Sequence, residues 1–187
     1  MKLLKPFIIV LGFFFYNFKR IFNHCIKKYL TTKFKKVGKN FYFGNHCIFT
    51  FKNITIGNNV FIADFCVIQS THGEVIIKDN VMIGPGVHIH GGNHEYKKIG
   101  FLMNEIKREN EIDKPVIIEE DCWIGANAII LNGVKIGKGS IIGAGSIVTK
   151  DIPPYTIYLG SPPLKILKRY TDEQIVEHEK KLYERKK

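Results

Sequence analysis

His94 is the residue of this chain whose position best suits acid–base chemistry. It ends the segment Gly91-Gly92-Asn93-His94, where a regular part of the sequence gives way to a long polar stretch. Glycines beside a histidine let the backbone and a ligand approach closely, and a neutral imidazole can accept a proton near neutral pH. The pattern makes His94 a candidate general base, although a lone histidine more often has a structural role.

A zinc site is the second chemistry that these histidines suggest. His88, His90 and His94 lie within seven residues, and imidazole nitrogens are common zinc ligands. In a strand, His88 and His90 would share a side. The repeat described next, however, predicts a corner between them, so we expect no convergence on one metal and no metal requirement.

An aliphatic residue recurs at every sixth position between residues 118 and 148. The aliphatic positions are Ile118, Ile124, Ile130, Ile136, Ile142 and Val148. Four residues after each comes a small or modest side chain, with Ile152 the largest: Cys122, Ala128, Val134, Ser140, Ser146 and Ile152. A period of six is neither the helix repeat nor a plain strand alternation. It predicts an all-β parallel β-helix, in which each hexapeptide is a short strand and a turn.

The same phase continues upstream in three triplets, and extra residues occur only after a third hexapeptide. This pattern predicts a prism with three flat faces, of which one corner tolerates insertions. We expect five coils, which start near Val37, Ile56, Ile77, Ile118 and Ile136. The largest insertion, residues 95–117, would be one long protruding loop, and loops of this length are usually functional.

Positive charge is concentrated at the N-terminus. The chain of 187 residues has a formal charge of +11, and residues 1–39 contain ten lysines and arginines but no acidic residue. Residues 6–18 are apolar but fewer than the roughly 20 that span a membrane, and no small-residue site marks a cleaved signal peptide. Residues 17–36 alternate aromatics with cations. A helix of this kind lies on anionic lipid, or covers the first coil with its lysines in solvent.

The remaining patterns indicate one main domain between two helical segments. Thr171 with Gln174 forms a capping box, which predicts a C-terminal helix to about Arg185. We therefore expect a basic aromatic segment at 1–36, a β-helix domain at 37–170 and a C-terminal helix at 171–187. No nucleic-acid-binding motif accompanies the charge.

The four cysteines have no short paired spacing. Cys47, Cys66 and Cys122 each occupy the small-residue position of a hexapeptide, and Cys25 lies in the N-terminal segment. We expect core packing in a reducing compartment rather than disulfides or zinc ligation.

Three motifs give the chain a marked resemblance to a known family. They are IGPGVHIHGGNH (83–94), KPVIIEEDCWIGANAIILNGVKIGKGSIIGAGSIVTKDIPP (114–154) and GSPPLKILKR (160–169). With them the chain resembles the hexapeptide-repeat acyltransferases, in the branch of maltose, galactoside, xenobiotic and capsular polysaccharide O-acetyltransferases, over about residues 40–170. The resemblance implies a left-handed β-helix, a homotrimer, acetyl-CoA as acetyl donor and active sites between neighbouring subunits.

The resemblance also assigns roles near the reacting atoms. The family histidine that matches His94 removes the proton of the acceptor hydroxyl, and transfer is direct. The N–H that matches Ala126 stabilises the developing oxyanion. The residue that helps to hold the acceptor falls on Asp64, where sugar acetyltransferases commonly have Asn. Asp64 is equally well explained as a polar corner residue.

The coenzyme A contacts implied by the family fall on the second half of the chain. Ala144 lies eighteen residues after Ala126, one full coil, so the two should stack as a flat small-residue wall along which the family lays the pantetheine arm. Trp123 would line the site or simply provide hydrophobic cover. Thr149 and Lys150 match family contacts. Lys165 and Lys168 would add charge, although GSPPLK is one residue longer than the usual family motif.

Three classes of function follow from these residues. The leading hypothesis is an acetyl-CoA-dependent O-acetyltransferase that acts on a sugar or surface-polysaccharide precursor, as a small-molecule or oligosaccharide acceptor. The alternatives are an N-acetyltransferase for an amino sugar or a xenobiotic such as an antibiotic, and a non-catalytic β-helix scaffold subunit. We expect a cytoplasmic protein, and the N-terminal segment offers it a peripheral position at the inner face of the membrane.

Overall fold

The computed structural model describes residues 4–94, 102, 104–106, 113–160, 165–168 and 170–184. By its internal contacts the chain divides into two compact units, Met1–Phe34 and Lys35–Lys187. The first unit contains the helix α1 (Leu4–Thr31). Within the described residues, no helix combines the length and the apolar character needed to cross a membrane.

The second unit consists of short strands followed by one helix. The strands of the coils, in chain order, are β1 (Lys36–Val37), β2 (Tyr42–Phe43), β3 (Ile48–Phe49), β4 (Ile54–Ile56), β5 (Phe61–Ile62), β6 (Val67–Gln69), β7 (Val75–Ile77), β8 (Met82–Ile83), β9 (His88–His90), β10 (Val116–Ile118), β11 (Trp123–Ile124), β12 (Ile129–Ile130), β13 (Lys135–Ile136), β14 (Ile141–Ile142) and β15 (Ile147–Val148). A 3-10 helix (Phe51–Asn53) precedes β4, and β16 (Thr156–Leu159), β17 (Lys165–Lys168) and α2 (Asp172–Glu184) end the chain.

These strands stack into three parallel sheets, which are the faces of a prism. The first face has the order β1-β4-β7-β10-β13, and the third has β3-β6-β9-β12-β15. The second face contains β2-β5-β8-β11-β14, continued by β16 and the antiparallel β17. The five expected coil starts, Val37, Ile56, Ile77, Ile118 and Ile136, pair in register on the first face. The predicted left-handed β-helix of five coils is therefore confirmed.

The core is the stacked column of inward aliphatic side chains that the sixfold repeat predicted. Twelve isoleucines on the three faces are less than 2% exposed. Most small-residue positions are also inside, including the thiols of Cys66 and Cys122, whereas Cys47 is only partly buried. Burial is the main cause that raises the pKa of the Cys122 thiol to about 12, so this group stays protonated.

The three edges of the prism differ in what they carry. The helix edge, between the first and second faces, comprises 38–41, 57–60, 78–81, 119–122 and 137–140. The alanine edge, between the second and third faces, comprises 44–47, 63–66, 84–87, 125–128 and 143–146. The loop edge, between the third and first faces, comprises 50–53, 70–74, 91–115, 131–134 and 149–151. Insertions occur only at the loop edge, as predicted, and residues 95–101, 103 and 107–112 of the long loop lie outside the described residues.

The C-terminal helix α2 contacts the helix edge. Its capping box is formed as predicted, since the Thr171 N–H donates to Gln174 Oε1 at 3.0 Å and the Gln174 N–H donates to Thr171 Oγ1 at 3.3 Å. Glu179 accepts a hydrogen bond from the Tyr155 hydroxyl and lies 2.6 Å from Lys138 Nζ. The predicted residues 185–187 lie outside the described range.

Candidate functional site

His94 lies at the loop edge, directly after the third coil, and its side chain is exposed. It lines a cavity of about 380 Å³. The lining residues are Thr50, Gln69, Thr71, His72, His90, Gly92, Asn93, His94 and Ile106. Most of these side chains offer hydroxyl, amide or imidazole groups, so the cavity suits a ligand with several hydroxyls.

The sequence analysis missed four of these lining residues, Thr50, Gln69, Thr71 and His72. They come from the first two coils, twenty or more residues before His94, and no local motif marks them. The register of the repeat was the available signal. Residues that end the third strand of successive coils, or lie in the edge that follows it, must be near the loop edge, and all four have such a position.

Hydrogen bonds between coils fix the backbone that leads to His94. The Ser70 hydroxyl donates to the Gly91 carbonyl at 2.9 Å, and the Ser70 N–H donates to Thr50 Oγ1 at 2.7 Å. A Cβ at Gly91 would lie 2.4 Å from Ser70 Oγ, so this position requires glycine. Asn53 Nδ2 donates to the carbonyls of Ser70 and Thr71 at 2.9 and 3.1 Å. The first three coils are thereby tied together beside the cavity.

The returning end of the long loop packs against the same segment. Asp113 is only 7% exposed, and its Oδ1 accepts a hydrogen bond from Asn132 Nδ2 at 3.2 Å. A Cβ at Gly92, two residues before His94, would lie 3.1 Å from Asp113 Oδ2. Asp113 therefore packs the end of the long loop against the glycines that precede His94, the candidate general base.

The corner expected between His88 and His90 is not present. Both residues belong to β9, with Ile89 pointing inward between them, and their rings are 5.8 Å apart on the outside. The prediction was wrong because the pair Gln69↔His90 extends the third face by one residue. Burial and, secondarily, the neighbouring His88 lower the pKa of His90. Among the described residues, no three His, Cys, Asp or Glu side chains are grouped so that they could hold a metal ion.

Asp64 lies at the alanine edge, where its carboxylate has a structural contact. Its Oδ1 accepts the Asn45 N–H, one coil below, at 2.7 Å. The same contact recurs at the helix edge, where Asn58 Oδ1 accepts the Lys39 N–H at 2.8 Å and Asp79 Oδ1 accepts the Asn58 N–H at 2.7 Å. An Asn or Asp at the second residue of a corner thus accepts a hydrogen bond from the backbone N–H one coil below. The role of Asp64 in holding an acceptor remains a prediction.

Ala126 occupies that second corner position in the fourth coil, and Ala144 lies directly above it. Since Ala144 has no acceptor in its side chain, the Ala126 N–H makes no hydrogen bond to any described residue, whereas the Ala126 carbonyl accepts the Gly145 N–H at 2.8 Å. A Cβ at Gly125 would lie 2.5 Å from the Ala144 nitrogen. The predicted wall of stacked small residues is thus present, with an N–H at Ala126 that no described residue accepts.

The other predicted contacts are distributed around the prism. Trp123 points outward from the second face, 50% exposed, in register with Met82 and Ile141. Thr149 and Lys150 are exposed at the loop edge.

The basic residues predicted near the C-terminus belong to β17. The Nζ of Lys168 pairs with Asp172 Oδ1 at 3.0 Å. Lys165 begins β17, but its side chain and residues 161–164 of the GSPPLK motif lie outside what the structure describes.

One chain therefore divides the candidate site between two edges. The loop edge has His94, Thr149 and Lys150, and the alanine edge has Ala126 with Ala144. The whole third face separates them. The catalytic pair that the resemblance implies, His94 and Ala126, is not brought together within one subunit.

Comparison with known proteins identifies relatives of this fold. A family model described as the hexapeptide repeat of succinyl-transferase matches residues 115–150. The galactoside O-acetyltransferase of Lactococcus lactis is 36% identical over 135 residues, which are 71% of this chain and 62% of that relative. The match thus spans less than two thirds of the relative's length.

Two solved structures extend the similarity. A hexapeptide-repeat acetyltransferase of Vibrio cholerae, complexed with acetyl coenzyme A, has a TM-score of 0.65 and 31% identity, covering 76% of this chain and 75% of that one. A maltose O-acetyltransferase of Clostridium difficile has a TM-score of 0.65 and 33% identity, covering 78% of this chain and 75% of that one.

Proposed function

The chain belongs to the hexapeptide-repeat acetyltransferases, and from that premise we propose that it transfers an acetyl group from acetyl-CoA to a hydroxyl of a sugar or surface-polysaccharide precursor. The observation that carries this proposal is the position of His94 on a cavity lined with hydroxyl, amide and imidazole groups. Such a lining can bind several sugar hydroxyls while the imidazole contacts the one that reacts.

In the proposed reaction, His94 accepts the proton of the acceptor hydroxyl as the oxygen bonds to the thioester carbonyl carbon. The carbonyl oxygen becomes an oxyanion, and the free N–H of Ala126 donates to it. The carbon–sulfur bond then breaks, the coenzyme A thiolate leaves, and the proton held by His94 neutralises the thiolate. One preorganised oxyanion donor is typically worth about 3 kcal/mol of transition-state stabilisation.

The wall of small residues is suited to bind the acyl donor, acetyl-CoA. Ala126 and Ala144 offer a flat surface for the pantetheine arm, beside Trp123. We assign the binding of the polar end of acetyl-CoA to Thr149, Lys150, Lys165 and Lys168. The pairing of Lys168 with Asp172 means that this lysine would exchange partners on binding. Asp64 remains a candidate acceptor contact through its second carboxylate oxygen.

A homotrimer is part of the proposal, because a single chain keeps the two halves of the site apart. The second face has an outward column of exposed apolar residues, Tyr42, Phe61, Met82 and Trp123, and the third face exposes Ile48 and Ile147. Apolar columns of this size mark interaction surfaces. A cyclic arrangement of three copies with their third faces turned toward the common axis would bring the loop edge of one copy next to the alanine edge of the next.

We also propose a cytoplasmic protein that residues 1–36 hold at the inner face of the membrane. The buried reduced thiols of Cys66 and Cys122 fit a reducing compartment. The anionic inner leaflet matches the cations of the N-terminal segment. An acceptor precursor carried on a lipid would then share the membrane surface with the protein.

Measurement of coenzyme A release against nucleotide sugars, oligosaccharides and their amino analogues tests the proposed reaction. Replacement of His94 by Ala should lower kcat about 10²–10⁴-fold, the usual contribution of a general base. His24→Ala, on α1, is the matched control and should leave kcat unchanged. An unchanged kcat for His94→Ala, with the assembly intact by analytical ultracentrifugation, contradicts the assignment of His94 as the base. Absence of coenzyme A release by the parent protein with every acceptor favours a scaffold. Turnover restricted to amines favours the N-acetyltransferase alternative.

A further inference from the structure

Residues 8–18 of α1 are apolar around the whole circumference of the helix, with Lys5 before them and Lys19 after them in the sequence. Nine aliphatic and aromatic side chains between Ile8 and Phe18 are each 44–70% exposed within this helix. They are Ile8, Ile9, Val10, Leu11, Phe13, Phe14, Phe15, Tyr16 and Phe18. Gly12 and Asn17 are the other residues of the stretch, and Asn17 Nδ2 donates to the Phe13 carbonyl at 2.8 Å. No charged group interrupts this apolar cylinder.

The second half of α1 is amphipathic and basic. Phe18, Ile21, Phe22, Cys25 and Tyr29 follow helical spacing along one stripe, and cations lie between these positions. The cations are Lys19, Arg20, Lys27 and Lys28, and the Arg20 guanidinium lies 5.9 Å from the centre of the Tyr16 ring. Cations beside aromatic rings are typical of the boundary between lipid headgroups and acyl chains.

The length of the apolar part selects a mode of membrane contact. Residues 8–18 rise about 16 Å at 1.5 Å per residue, whereas the hydrocarbon core of a bilayer is about 30 Å thick. The apolar part therefore matches one leaflet. A helix that lies flat on a membrane has one polar face in water, but residues 8–18 have none.

We propose that α1 is a single-leaflet anchor. Residues 8–18 enter the hydrocarbon of one leaflet, and residues 19–31 stay among anionic headgroups. Lipid is the occupant that fits because acyl chains cover every side of a helix, whereas a helix from a protein partner would cover one stripe. The charge agrees, since residues 1–39 contain no acidic group and anionic headgroups attract Lys and Arg.

Vesicle binding by the full-length protein tests the anchor. Phe14→Asp should weaken partitioning into phosphatidylglycerol vesicles roughly 100-fold, from the cost of an aspartate in the hydrocarbon. Val176→Asp is the matched control, because Val176 is an apolar residue of α2 that is 71% exposed, and it should bind as the parent does. Equal binding of the Phe14→Asp protein overturns the proposal.

Depth and lipid charge are tested separately. A Phe13→Trp reporter in a Trp123→Phe background should be quenched most by bromines deep in the acyl chains. Arg20→Gln with Lys19→Gln should reduce the preference for phosphatidylglycerol over phosphatidylcholine. Quenching only near the headgroups would show a flat helix and overturn the single-leaflet mode. Association through α1 without vesicles, abolished by Phe14→Asp, would identify a second copy as the occupant. The anchor rests on the membrane attachment given under the proposed function. Acetyl transfer by the Phe14→Asp protein to a water-soluble acceptor should not change, so failure of the anchor is distinguishable from failure of the proposed acetyl transfer.

Discussion

Replacement of Ala144 by Asp should switch off the proposed oxyanion donor. At the same corner position, three coils lower, the Asp64 carboxylate accepts the Asn45 N–H beneath it at 2.7 Å. Ala144 stands above Ala126 as Asp64 stands above Asn45. An aspartate there should therefore capture the Ala126 N–H and leave nothing to donate to the oxyanion.

The magnitude follows from the loss of one donor. Removal of a single oxyanion-hole donor costs about 3 kcal/mol, so kcat should fall about 10²–10³-fold. The new carboxylate would also repel the developing negative charge, which acts in the same direction. The assay is coenzyme A release at saturating acetyl-CoA, with KM measured for both substrates and the melting temperature recorded.

Ala144→Val is the matched control, because it adds bulk to the wall without an acceptor. Valine should raise the KM for acetyl-CoA and change kcat much less than aspartate does. Equal loss of kcat in both variants would mean that bulk, not capture of the N–H, causes the effect. An aspartate variant with full kcat would refute the oxyanion role of Ala126.

Two further predictions follow from the pKa shifts. His88→Ala should raise the pKa of His90, because the neighbouring imidazolium disappears and only burial still lowers it; NMR titration of the ring protons measures this, and an unchanged pKa contradicts the coupling. Hydrogen bonds from Lys138 and Tyr155 lower the pKa of Glu179. The carboxylate therefore stabilises the docking of α2 above the pKa of an unfolded glutamate, about 4.3. That stability is lost as the pH falls through the lower pKa that Glu179 has in the folded protein. Hydrogen exchange of α2 should become faster in acid in the parent, and in Glu179→Gln it should already be faster at pH 7.

The coils were predictable because every coil requires the same types of side chain at the same positions. One aliphatic side chain per hexapeptide must point inward, and the residue four places on must be small enough for a corner. Ile118 and Ile136 met this requirement at a fixed spacing, and they lie in register on the first face. The phase therefore determined the stacking, and the insertions determined which edge carries loops.

Strand ends and cavity walls were not predictable in the same way. In the second and third coils the strand of the third face runs one residue further than the hexapeptide pattern suggests, because Gln69 and His90 still pair. The cavity depends on how insertions of different length meet, as where Asn53 reaches the carbonyls of Ser70 and Thr71. These contacts join residues from different coils, and no local pattern in the sequence encodes them.

The division of the site between two edges follows from the prism itself. Corners of a three-faced coil are one whole face apart, so no loop conformation can stack His94 on Ala126 within a subunit. Conversely, the wall at Ala126 and Ala144 needs only the eighteen-residue spacing and small side chains, which one chain supplies alone. A single subunit should thus present the small-residue wall for the pantetheine arm but an incomplete catalytic site, which makes assembly a condition for turnover in the proposed mechanism.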